Sequence, residues 1–248
     1  MAANDMVATH DKTLRPRQKT VTDLRAPHLL AKWPVIGLIM FIFGALAFGG
    51  LSYNLLAHGP LLAWDRMLAS TLPAIALKGP SFLQPLMDAG FYIGKDLVVG
   101  VSILLSIYFI YKRYWREFAL VAIGIPGSSA LFESLSLFLA RSRPPTQIWI
   151  IEKIPGFPSG HALTAVAFFG LMAYLLAPKM PSIFWKVVVA VLAVFIILFI
   201  GFTRVFTAGH YLTDVLAGYA VGIAWSGMAY TLIELYFQKR RNHNVQKQ

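Results

Sequence analysis

The stretch IFWKVVVAVLAVFIILFIGFTRVFTAGHYLTD, residues 183–214, carries a single charge, Lys186, in its first twenty residues. It then presents an arginine, a histidine and an aspartate in quick succession. An apolar run of about 20 residues, rising 1.5 Å per residue as a helix, matches the hydrocarbon core of a bilayer. The polar residues Arg204, His210 and Asp214 therefore fall where the chain leaves that core. A second short run, Pro158-Ser159-Gly160-His161, stands in the same relation to another apolar stretch. In both runs a histidine lies among small residues at the edge of an apolar segment, which makes them candidates for the chemistry of this chain.

The composition agrees with a membrane setting. Of the 248 residues, 57% are hydrophobic and 13% charged, and the mean hydropathy is +0.63. Soluble domains have about 45–50% apolar and about 25% charged residues. The net charge of +11 does not point to nucleic acid, because the basic residues lie in short flanks between apolar runs. That is the pattern of topology signals and anionic headgroup contacts. With no cysteine, disulfides, thiolate catalysis and cysteine metal sites are excluded. The first 33 residues are polar and basic, and the apolar run after them is too long for a signal-peptide core, so it reads as a first membrane helix.

The sequence predicts an all-α bundle of six transmembrane helices: Pro34–Leu56, Phe91–Tyr111, Phe118–Leu139 with an interruption at Pro126-Gly127, His161–Ala177, Ile183–Phe202 and Val215–Phe237. Residues 1–33 form a basic N-terminal segment, 34–237 the membrane domain and 238–248 a basic tail. Fifteen of the 22 lysines and arginines lie on the side that holds both termini. The positive-inside bias therefore predicts cytoplasmic termini and places both histidine runs on the outer face. Residues 57–90 join the first two spans on that face, either as an interfacial helix or as a packed loop. Lys95 and Asp96, near the start of the second span, suit a substrate mouth or an ordinary interface.

Three outer elements converge if the helices bundle: Arg141-Ser142-Arg143-Pro144, the Pro158–His161 run, and Arg204 to Asp214. Arginine grips phosphate oxygens with a planar fork of donors. Gly160 lets backbone approach closely, and the N–H groups at a helix start suit an anion. One histidine can attack phosphorus and the other can protonate the leaving oxygen. His210 and Asp214 are four residues apart, so one helical turn brings them onto one face.

FPSGH at Phe157–His161, and Thr203-Arg204 followed by His210 and Asp214, resemble the second and third signatures of the type 2 phosphatidic acid phosphatase (PAP2) family, whose superfamily includes the vanadium haloperoxidases. ARSRP at Ala140–Pro144 resembles the end of the first signature, Lys-x6-Arg-Pro. The resemblance implies His210 as nucleophile, Asp214 as its orienting partner and His161 as general acid. It implies Arg143, Arg204, Ser159 and Gly160 as the phosphate cradle, with no metal and no cofactor. Two positions depart from the pattern. Ser136 stands where the first-signature lysine belongs, which leaves Arg141 or Lys153 to supply the missing charge, and Thr203 stands where serine is common. Glu133, an acid within the third span, is a candidate either for function or for a bundle salt bridge.

The activity so implied is hydrolysis of a phosphomonoester or diphosphate on a membrane lipid: phosphatidic acid, phosphatidylglycerol phosphate, polyprenyl diphosphate or a lipid A phosphate. Transfer of the phosphoryl group to another lipid or sugar, and phospholipid binding or transport without turnover, stay open as alternatives. A haloperoxidase fits less well, since those relatives are typically soluble. The sequence does not state an oligomeric state.

Overall fold

A computed structural model describes residues 27–150 and 152–246. The chain divides into two units, Met1–Lys32 and Trp33–Gln248, and the site lies wholly within the second. Eight α-helices are present among the described residues, and no strand: α1 Pro27–Leu56, α2 Leu61–Lys78, α3 Leu83–Tyr92, α4 Val98–Tyr111, α5 Trp115–Leu139, α6 Gly160–Leu176, α7 Ile183–Phe206 and α8 Leu212–Gln246. Among the described residues, six segments are long and apolar enough to cross a membrane: Pro34–Leu56, Leu83–Tyr111, Trp115–Leu139, Gly160–Lys179, Ile183–Phe206 and Leu212–Asn244. The predicted count of spans and their order hold.

Helix α6 packs against α5, α7 and α8 and buries His161, Ala162, Leu163, Ala165, Ala167, Phe168 and Leu171. Small residues set its distance from α8. A Cβ on Gly218 would lie 2.5 Å from the Ser159 carbonyl oxygen and 2.9 Å from Ala162 Cβ. One on Gly222 would lie 2.8 Å from Val166 Cβ. The same device joins α1 to α8, where Gly37 faces Gly227 and Gly44 faces Ala224. In lipid, close backbone approach is a main source of helix association, because side-chain burial gains little over contact with acyl chains. On α7 the exposed residues Val187, Val191, Val194, Phe195 and Leu198 form the apolar surface that such a helix turns to lipid.

Several boundaries differ from the sequence reading. The second span starts eight residues early: a π-helical turn, Ile93–Leu97, carries Lys95 and Asp96 inside one continuous helix built of α3 and α4. Pro126-Gly127 does not break α5, which runs through it. The pair makes room for Trp225, whose ring would clash with a Cβ on Gly127 and whose Nε1 donates to Gly124 O at 2.8 Å. Helix α7 extends to Phe206, so Arg204 is helical, and α8 begins at Leu212, so Asp214 falls in its first turn. The stretch read as a tail from residue 238 continues α8 to Gln246. Backbone bonding within a helix does not depend on lipid, and Lys, Arg and Gln are good helix formers.

The segment 57–90 forms α2 and the start of α3. Helix α2 is not among the candidate spans. It turns Asp65, Ala69, Pro73 and Ala76 inward at spacings of three to four residues, packs on α7 and α8, and leaves Trp64, Met67, Ile75 and Leu77 exposed.

Candidate active site

Two chain reversals at one end of the bundle, α5 to α6 and α7 to α8, build the site. Helix α5 stops at Ala140, which adopts a left-handed conformation (φ 43°, ψ 34°) and donates its N–H to Ser136 O at 2.9 Å. The α5–α6 loop then closes on itself, Gly156 N donating to Arg141 O at 2.8 Å. Ser159 N donates to Asp214 O at 2.9 Å and fixes the start of α6 beside the start of α8. The turn after α7 is held by His210 N donating to Arg204 O at 3.1 Å. Asp214 is the third residue of α8 and accepts from the Tyr211 N–H at 2.9 Å, while its own N–H donates to Tyr211 O at 3.1 Å. This reciprocal cap satisfies two orphan donors and puts a negative charge at the positive end of the helix.

His210 is 1% exposed. Its Nδ1 lies 2.7 Å from Gly156 O. A carbonyl only accepts, so this contact assigns the ring proton to Nδ1 and the lone pair to Nε2. Nε2 lies 2.9 Å from Arg143 Nη1. Burial, then the charges of Arg143 and Arg204, hold the imidazole well below its usual pKa of 6.5, so it is neutral near pH 7. Asp214 Oδ2 is 3.6 Å from Nδ1, near enough to stabilise an imidazolium but too far to hydrogen-bond it. Gly156 O, which the sequence reading missed, makes the orienting bond there assigned to Asp214. A Cβ on Gly156 would lie 3.2 Å from Asp214 Oδ2 and 3.1 Å from Arg143 Cγ, so the carbonyl reaches the ring because the residue is glycine.

Arg143 and Arg204 converge as expected, and the side chains of both are largely covered. Arg143 donates to Ile154 O at 2.7 Å, Gly209 O at 2.6 Å and Glu152 Oε2 at 2.8 Å. Arg204 donates to the same Glu152 oxygen and lies over the Phe91 ring at 4.9 Å. Gly209 leaves space for that guanidinium, whose Cζ would be 2.9 Å from a Cβ there. His161 packs on Phe91 with ring centroids 4.8 Å apart. Ser159 Oγ, His161 Nε2 and Arg204 Nε are buried and have no hydrogen-bond partner among the described residues. They are two groups able to donate or accept and one obligate donor, beside two guanidiniums, which is the chemistry that receives a phosphate. Gly160 opens α6, and the Phe132 ring covers its Cα, 3.1 Å from where a Cβ would stand.

Glu152 was not foreseen. Donor atoms of Glu152, His161 and His210 lie within 4.8 Å of one another, which is also metal-ligand spacing. Two guanidiniums already share the Glu152 carboxylate, however, and that field favours an anion over a divalent cation. Nothing in the sequence separates this acid from a surface-loop acid: it stands beside Lys153, which is exposed and does not join the cradle.

Arg141 also departs from its expected place at the phosphate. Its guanidinium lies behind Asp214, donating to Asp214 Oδ1 at 2.5 Å, Thr213 Oγ1 at 2.7 Å and Asp65 Oδ2 at 2.8 Å, with the Tyr211 ring 4.2 Å away. Ser136 is buried and donates back to Glu133 O at 3.0 Å. Glu133 itself is exposed, so it lines neither the cradle nor the bundle interior. A buried acid does stand in a membrane helix at the far end of the bundle, Glu234, which accepts from Arg116 Nε at 2.8 Å and Tyr174 OH at 2.6 Å. A further cation stands near the site: Gly94 of the π turn packs on His161, and Lys95 beside it adds its charge to the field there.

The sequence model described as "PAP2 superfamily" matches residues 97–237, more than half of the chain. The chain belongs to the PAP2 superfamily. The PAP2 match takes in α4 to α8 and the α5–α6 loop, with every group described above except Asp65, Phe91, Gly94 and Lys95. Phosphatidylglycerophosphatase B of Bacillus subtilis (strain 168) is 28% identical over 149 residues, covering 59% of this chain and 66% of that protein, a little under two thirds of its length. The crystal structure of a transmembrane PAP2-type phosphatidylglycerolphosphate phosphatase from Bacillus subtilis shares the fold. It matches with a TM-score of 0.65 at 22% identity, over 84% of this chain and 97% of that one.

Proposed function

We propose that this PAP2 protein is an integral-membrane, metal-independent lipid phosphatase working through a phosphohistidine. The observation that carries the reading is His210: its Nδ1 proton is held by Gly156 O and its Nε2 lone pair faces Arg143. Nε2 attacks phosphorus as the P–O bond to the lipid breaks. His161 Nε2–H gives its proton to the departing alkoxide, and Arg143 and Arg204 hold the charge on the phosphoryl oxygens. Water, losing a proton to His161, then attacks the phosphohistidine, releases inorganic phosphate and restores the neutral ring. Asp214 stabilises the positive imidazole between the two steps. Ser159 and the N–H groups at the start of α6 complete the cradle.

The substrate we favour is a lipid phosphomonoester of the phosphatidylglycerol phosphate type, the class named for the relative; polyprenyl diphosphate and phosphatidic acid follow. The acyl chains stay in the bilayer while the headgroup enters at the end of the bundle. The lysine and arginine bias supports an outward-facing site and cytoplasmic termini.

Purified protein in detergent should release phosphate from phosphatidylglycerol phosphate with EDTA present, and His210→Ala should release none. Activity that needs an added divalent metal, or that survives in the variant, would overturn the mechanism. Phosphate appearing on an added lipid alcohol rather than in solution would move the assignment to phosphotransfer.

A further inference from the structure

Asp65 lies on α2, 1% exposed, and the family match begins downstream of it. Its oxygens take three bonds: Thr213 N to Oδ1 at 3.0 Å, Thr213 Oγ1 to Oδ2 at 2.5 Å, and Arg141 Nη2 to Oδ2 at 2.8 Å. A buried carboxylate needs such partners, since desolvation costs several kcal/mol per ion. The choice of partner is what matters here. Arg141 spends Nη1 on Asp214 Oδ1 and Nη2 on Asp65. Were Nη2 released, the planar fork could close on both Asp214 oxygens and neutralise them. With Asp65 in place, Asp214 Oδ2 stays toward Tyr211 N and the His210 ring.

Charge counting gives the same direction. Asp65 and Asp214 carry two negative charges and Arg141 one positive, which leaves one net negative charge behind His210. The ring becomes positive when Nε2 is phosphorylated. It is faced by Arg143, Glu152 and Gly156 O from the α5–α6 loop, Arg204 from α7, His161 from α6 and Asp214 from α8. Two guanidiniums against one carboxylate on the phosphate side leave the imidazolium dependent on charge from behind. We propose that Asp65 is a positioning residue for phosphoryl transfer: it holds the second nitrogen of Arg141, so that the guanidinium reaches Asp214 through Oδ1 alone and the three groups keep one net negative charge behind His210. This rests on the phosphohistidine reading. It ties helix α2 to the chemistry without contact with substrate.

The test uses the full chain in detergent, with phosphatidylglycerol phosphate as substrate and His210→Ala as control. Asp65→Asn keeps the shape and removes the charge. The expected result is a kcat lowered roughly ten- to a hundredfold, the usual scale for residues supporting a reactive group, with KM within twofold. Losing a negative charge makes protonated His210 less favourable, so the acid limb of kcat/KM should move to lower pH. Asp65→Glu retains the charge and should keep the limb in place even if kcat falls; it decides the matter if Asp65→Asn does not fold. Normal kcat and pH profile in Asp65→Asn, with active wild type and inactive His210→Ala, would overturn this proposal and leave the phosphatase standing. A limb that moves equally in Asp65→Glu would overturn it as well, by showing a packing effect. No phosphate release by wild type would bring down both readings.

Discussion

Glu152 stands between Arg143 and Arg204, the two residues proposed to hold the oxygens of a phosphate. A substrate must therefore displace a carboxylate before both guanidiniums can hold it. Glu152→Gln removes that competing charge, and the inhibition constant of inorganic phosphate should fall about tenfold, the scale of one charge-assisted hydrogen bond. An unchanged constant would mean that the carboxylate does not compete. The pKa of His210 makes a second prediction. Held well below 6.5 by burial, Arg143 and Arg204, the proposed nucleophile stays neutral through weakly acidic pH, so the acid limb of kcat/KM belongs well below 6.5. Arg143→Gln removes one repelling charge and should move that limb upward. Stability has its own sign. Below about pH 6.5 the unfolded chain protonates His210 and the folded chain does not, so the unfolded state binds more protons and stability falls as pH falls. His210→Asn should flatten that fall in a series of thermal midpoints.

At the scale of the elements, the candidate catalytic residues depend on two helix starts lying side by side. The α6–α8 contact at Gly218 and Gly222 sets that distance. Gly218→Val forces side-chain atoms against the Ser159 carbonyl and should destabilise the protein by about 1–3 kcal/mol, read as a lower thermal midpoint. It should also cost activity beyond that loss, because Ser159 N bonds Asp214 O. A stable, fully active variant would show that the contact yields easily. The helices themselves were legible in the sequence, since apolar length is a one-dimensional property. Their ends were not. Lys95 and Asp96 look like a boundary, yet a π turn carries them within the helix. Pro126-Gly127 looks like a break, yet Trp225 from α8 fills the space that the glycine leaves.

For the whole molecule, one end of the bundle carries the proposed phosphate site and the other carries the Arg116–Glu234–Tyr174 cluster. With no native cysteine, single-cysteine variants can assign the sides. Lys153→Cys should react with an impermeant thiol reagent on intact cells, and Lys239→Cys only after permeabilisation. The reverse pattern would invert the proposed topology.

The sequence alone determined the six spans, their order and the gathering of His161, His210, Asp214, Arg143 and Arg204 at one end. All of these follow from apolar length, charged flanks and local spacing. Only the tertiary structure decided what surrounds them: Glu152 between Arg143 and Arg204, Gly156 O on the His210 ring, Arg141 behind Asp214, and Asp65 reaching in from a helix that the motifs do not include. Those contacts join residues up to 148 positions apart. They depend on where loops close and how near small residues let helices come, and a linear pattern of residue types does not encode that distance.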